Sequence, residues 1–100
     1  MSPEPADIAC SLDGGEQASR VGAWSALVAQ RVGRAWDGDT LRLSFAADAS
    51  LAAEVARLAV LEQQCCPFFA FTVTVTAGTL TLDVDAPPDA RPIVRDLFGS

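Results

Sequence analysis

Histidine and lysine are both missing from this chain of 100 residues. Zinc is held by four ligands, commonly cysteines two residues apart completed by histidine or further cysteine. With three cysteines, no histidine and no Cys-x-x-Cys, the chain fits zinc poorly. The missing lysine also removes the key residue of a P-loop, so Asp13-Gly14-Gly15-Glu16 is no phosphate cradle. Basic charge of any kind is scarce. Seven arginines stand against thirteen acids, and the net charge of −6 argues against nucleic acid as a partner of this chain by itself. No apolar run approaches the roughly 18 residues of a membrane span, so no membrane role is expected. The opening MSPEPAD has neither the basic start nor the apolar centre of a signal peptide. We expect residues 1–7 to be a disordered lead and the protein to be cytoplasmic. An odd cysteine count excludes a complete disulfide framework and leaves buried filler, redox groups or metal ligands.

What the chain does have is apolar content for one core, half of its residues, and residues 8–100 read as a single α+β domain. DIACSL (7–12) alternates as a short strand. Val21, Trp24, Leu27, Val28 and Val32 recur at helical spacing over residues 16–35. After the turn signal Asp37-Gly38-Asp39, Leu41, Leu43 and Phe45 alternate with polar residues, as in a strand with one buried face. Asp48 or Ser50 caps a second helix, which ends at Cys65 because Pro67 disfavours helical geometry at Cys66. Phe69, Phe71, Val73 and Val75 alternate, Ala77-Gly78 turns, and Leu80, Leu82 and Val84 alternate back as a β-hairpin. Residues 89–98 close the chain as a short helix. The order β-α-β-α-β-β-α describes a small α/β sandwich. Most of it is a ferredoxin-like split unit, with helices on one face of a mostly antiparallel sheet and residues 7–12 as the completing strand. Trp24 and Trp36 read as core or interface aromatics, and the VGRAWDGD stretch as a helix end followed by a turn.

The chemistry concentrates in LEQQCCPFFAF, residues 61–71. On a helical wheel Leu51, Val55, Leu58, Glu62 and Cys65 form one inward stripe. A carboxylate on an apolar stripe is costly unless it is paired, protonated or coordinated. The plain alternative is a helix end where the stripe reaches solvent. Cys65 and Cys66 taken singly are small buried hydrophobes. Side by side at a helix-to-strand junction, next to a misplaced carboxylate, they point to function. A disulfide between them is strained, since adjacent α-carbons lie about 3.8 Å apart, short of the usual disulfide span. Soft ions that accept two or three thiolates fit better, which selects mercury(II), cadmium, lead or trivalent arsenic. Pro67 should turn Cys66 toward extended geometry, so the two side chains are expected to diverge, with Cys65 the primary ligand.

ACSLD followed by EQQCCPFFAF and PPDARPIVRDLFG resembles small bacterial Cys-Cys-Pro-Phe-Phe proteins associated with mercury-type (MerR) regulators, across most of residues 8–98. A second, partial likeness is to organomercurial (alkylmercury) lyases, whose site joins a Cys-x-x-Asp segment to a later Cys-Cys closely followed by Phe-Phe. Cys10-Ser11-Leu12-Asp13 matches the first segment; Cys65-Cys66 and Phe68-Phe69 match the second. The likeness implies Cys10 and Cys65 as mercury-binding thiolates, Asp13 as proton carrier and Cys66 as accessory cysteine. The lyases are longer and carry histidines between the cysteine pair and the phenylalanines.

The leading expectation is a protein that binds a thiophilic metal, mercury(II) first, through Cys10, Cys65 and Cys66, with Asp13 and Glu62 as nearby carboxylates, in metal resistance or sensing. No resident cofactor is required; the soft ion is ligand or substrate. As a lyase, the chain would grip an organomercurial through Cys10 and Cys65, and Asp13 or Glu62 would protonate the leaving carbon. A third reading is an interaction module with core cysteines. A second copy of the chain and a MerR-type regulator are the protein partners under consideration.

Overall fold

The computed structural model describes residues 14–98, with side chains from residue 19 onward. The strand expected at residues 7–12 lies outside the described residues. Within them the chain runs α1 (Gly14–Val28), β1 (Gly33–Asp37), β2 (Thr40–Ala46), α2 (Ala49–Cys65), β3 (Ala70–Thr76), β4 (Thr79–Asp85), a single 3-10 turn (Pro88–Ala90) and α3 (Arg91–Phe98). The four strands form one antiparallel sheet in the order β1-β2-β4-β3. β2, α2 and β3 are a split β-α-β unit, with β4 slotted between its two strands. The α+β sandwich expected from the sequence is the observed fold.

The fourth strand comes from an unexpected place. Residues 33–37 continue the helical spacing of Val28 through Val32, yet α1 stops at Val28. The chain tightens there, with the amides of Gln30 and Arg31 reaching only three residues back, and Val32 N–H bonds instead to Ser44 C=O at 2.7 Å. Edge pairing with β2 overrides the local pattern, and Val32 is left 71% exposed. Trp36 then sits opposite Leu41 across the β1–β2 ladder. It packs against the core and carries the Arg91 guanidinium 4.2 Å above its ring.

One face of the sheet builds the core. Leu41, Leu43 and Phe45 of β2 and Leu80, Leu82 and Val84 of β4 are each fully buried. The alternating residues between them point to the open face, as period-two geometry requires. Trp24 and Leu27 of α1, Val55 and Leu58 of α2, and Val94, Leu97 and Phe98 of α3 cover the apolar face. Each large side chain so enclosed contributes about 1.5–3 kcal/mol of burial energy. α2 begins where expected: Asp48 accepts from the amides of Ser50 and Leu51 at 2.8 and 3.2 Å. Among the described residues no helix is long and apolar enough to cross a membrane.

Candidate metal centre

The inward stripe of α2 is real. Val55, Leu58, Ala59, Glu62 and Cys65 are its buried residues. Glu62 is completely enclosed, which removes the solvent-exposed alternative. Its compensation comes from α1, where Arg20 and Trp24 stand one turn apart on the face that meets α2. Trp24 Nε1 donates to Glu62 Oε1 at 2.8 Å, and Arg20 Nη1 pairs with the same oxygen at 3.3 Å. That leaves Oε2 facing the two sulfurs, 3.4 Å from Cys65 Sγ and 3.3 Å from Cys66 Sγ. One carboxylate oxygen is anchored; the other is aimed.

Cys66 caps the helix rather than leaving it. Its N–H still bonds to Glu62 C=O at 2.7 Å, while its φ and ψ of −127° and 79° are no longer helical. This combination swings the side chain back beside Cys65, and the two Sγ atoms lie 3.5 Å apart. The expected divergence of the two side chains is therefore wrong. Pro67 does end the helix, but the last backbone bond holds Cys66 over the same site. Phe69 is buried immediately beyond, in a ring cluster with Phe68, Phe71 and Phe98 at centroid distances of 4.5, 5.6 and 6.0 Å. Trp24 meets Phe98 edge-on at 4.6 Å. Glu62 and Cys66 have no solvent access and Cys65 has very little.

The two cysteines differ in state. Cys65 is a thiol. The sulfur of Cys66 is in a disulfide, so it has no S–H to donate and its approach to Glu62 is a contact only. Burial pushes the Cys65 thiol up to about 11, and the charge of Glu62 and its hydrogen bond add to the shift. Arg20, 4.0 Å from Cys65 Sγ, works in the opposite direction. Cys65 is thus held protonated near neutrality, an inert thiol until a cation displaces the proton.

Glu62, Cys65 and Cys66 each offer one ligand atom, and the three atoms lie within 4.8 Å of one another, so the cluster could hold a metal ion. Three ligands at about 2.3 Å in a plane around an ion stand about 4 Å apart, so only small adjustments are needed. With Cys66 reduced, two thiolates, a carboxylate and the Arg20 guanidinium sum to two negative charges, the complement of one divalent cation. Cys10 and Asp13 lie outside the described residues. The structure adds Arg20 and Trp24, which the sequence reading missed as site residues. A charged residue extending the Trp24–Leu27 stripe by one turn was the available signal. Comparison with known proteins finds no match: no family model, no curated protein and no solved structure is significantly similar to this chain.

Proposed function

We propose that this protein captures a thiophilic divalent ion, mercury(II) first, through Cys65 and Cys66 with Glu62 beside them, in metal resistance or sensing in the cytoplasm. The observation that carries the reading is the divided Glu62 carboxylate, with Oε1 fixed by Trp24 and Arg20 and Oε2 turned to both sulfurs. Softness of the sulfurs selects the ion, and three ligands among the described residues, in a chain without histidine, fit zinc poorly. The lyase likeness implies Cys10 as a further thiolate, and the likeness to Cys-Cys-Pro-Phe-Phe proteins implies a MerR-type regulator as functional partner.

Capture requires Cys66 in its reduced form, and it expels at least the Cys65 proton. Below the thiol's value of about 11, apparent affinity should rise about tenfold per pH unit for each proton displaced. Native mass spectrometry of the reduced protein, titrated with mercury(II), cadmium and zinc under dithiol competition, tests the reading. One retained mercury is expected, zinc is not retained, and Cys65→Ser or Cys66→Ser lowers retention at least about tenfold. Equal retention by the Cys65→Ser/Cys66→Ser double variant would refute it.

The second reading, protonolysis of a carbon–mercury bond, gains from the same geometry, because Glu62 Oε2 lies beside both sulfurs. Cys10 and Asp13 enter that reading only through the lyase likeness. Methylmercury held unchanged marks a binder; methane release marks a lyase.

A further inference from the structure

Among the described residues the sheet has two edges, and they are built differently. β1 is five residues long and carries Arg34 and Asp37. Charge and brevity of that kind protect an edge from pairing with another strand. β3 has seven residues, Ala-Phe-Thr-Val-Thr-Val-Thr, with no charge, proline or glycine. The chain as a whole carries −6, so a neutral strip of this length is where two copies meet with least repulsion.

The direction of the β3 backbone follows from its hairpin. Ala77 and Gly78 form a two-residue turn with φ of 50° and 76°, and Thr76 pairs with Thr79 across it. In such a hairpin the residues flanking the turn bond to each other and bonding alternates from there. Thr76, Thr74, Thr72 and Ala70 therefore bond inward to β4, and the N–H and C=O groups of Phe71, Val73 and Val75 point outward along the edge. The side chains of these three lie on the core face, opposite Val84, Leu82 and Leu80. Yet Val73 is 40% exposed and Val75 60%, and Val60 of α2 above them is 56% exposed. A groove of 310 Å³, lined among others by Ala59, Val60, Gln63, Phe71 and Val73, runs between helix and edge. The helical layer stops short of the edge strand.

We propose that β3 is the pairing edge of a homodimer, lying antiparallel to β3 of a second copy about a twofold axis through Val73. That register sets Phe71 against Val75 of the other copy and Val73 against its own equivalent, so the apolar face matches itself. It satisfies the outward amides in one continuous sheet and brings the two α2 helices together over the seam. A second copy fits better than residues 1–13, which would bring Glu4, Asp7 and Asp13 to a neutral groove. The proposal is independent of the metal reading.

Sedimentation velocity on the full chain across a concentration series, paired with amide exchange, tests it. A monomer–dimer equilibrium is expected, with exchange at Phe71, Val73 and Val75 slowing as concentration rises. Val73→Lys sets two ammonium groups against each other at the axis, and dimer dissociation should strengthen at least about tenfold. Circular dichroism checks that this variant folds; if it does not, the exchange of the unmodified chain decides. A monomer with fast, concentration-independent exchange at these amides overturns the proposal. Protection in the monomer assigns the edge to residues 1–13, and a dimer untouched by Val73→Lys assigns the contact to another surface; both also overturn it.

Discussion

Helix α2 carries two glutamates, about two turns apart, each paired with an arginine, and the two pairs have little in common. Glu54 reaches Arg57 on its own helix through a two-point contact of 3.1 and 2.9 Å. Both side chains are largely exposed, and the hydrogen bond from Arg57 holds the Glu54 carboxyl below its usual range. Glu62 reaches Arg20 on another helix, from a position with no solvent access. In water an ion pair exchanges one set of hydrogen bonds for another and is worth little. In the core no water stands ready to replace the arginine, and losing the pair leaves a buried charge poorly compensated. The same residue type is surface dressing in one place and a structural commitment in the other.

The comparison is broken most forcefully at Glu62. Glu62→Ala removes the acceptor of Trp24 Nε1 and the counter-charge of Arg20, and we expect a loss of about 3–5 kcal/mol in urea unfolding. A loss under about 1 kcal/mol would mean that Arg20 swings out and the pair is no more committed than its exposed counterpart.

A smaller effect appears at high pH, from the thiol that Glu62 contacts. Cys65 in the folded chain titrates near 11, against an ordinary value of 9.0, so the unfolded chain gives up its proton first. The unfolded state then binds fewer protons, and stability falls as pH rises from about 9 to about 11. The loss over that window should be about 2–3 kcal/mol, and Cys65→Ala should flatten it. Below pH 9 both states keep the proton and the term vanishes. Unfolding midpoints measured across this range in both proteins check the slope.

The smallest effect belongs to the exposed pair. Glu54→Gln should leave the thermal midpoint unresolved from that of the unmodified chain, at low salt and high. A clear loss would place the outer face of α2 in a contact that the isolated chain does not show.

Much of this was legible in the residues. The wheel placed Glu62 and Cys65 on the buried stripe because an α-helix fixes which positions share a face, whatever surrounds it. The β3–β4 hairpin was equally readable, since its alternation and turn are local. β1 was not, because Val28, Val32 and Trp36 keep a helical spacing and only the neighbouring strand decides otherwise. The partners of Glu62 were hidden for the same reason. Arg20 and Trp24 lie on a different helix, and no periodicity within one segment shows which faces meet. The convergence of Cys65 and Cys66 turned on a single cap bond that residue propensities do not encode.

The placement of β4 between β2 and β3 has a consequence for the order of assembly. β2 and β3 share no hydrogen bonds, and each is tied to the sheet through β4. The β3–β4 hairpin closes a short loop and can form early, whereas joining β2 to β4 brings Leu41 against Val84 across most of the domain. Loop-closure entropy makes that docking the later and slower event. During synthesis the sheet cannot be completed until residue 85 is made, so α2 waits without the face it is meant to cover. Over that interval Cys65 and Cys66, at the end of α2, have no completed sheet to pack against. The two sulfurs are closed off only when α1 also arrives, bringing Arg20 and Trp24 against Glu62.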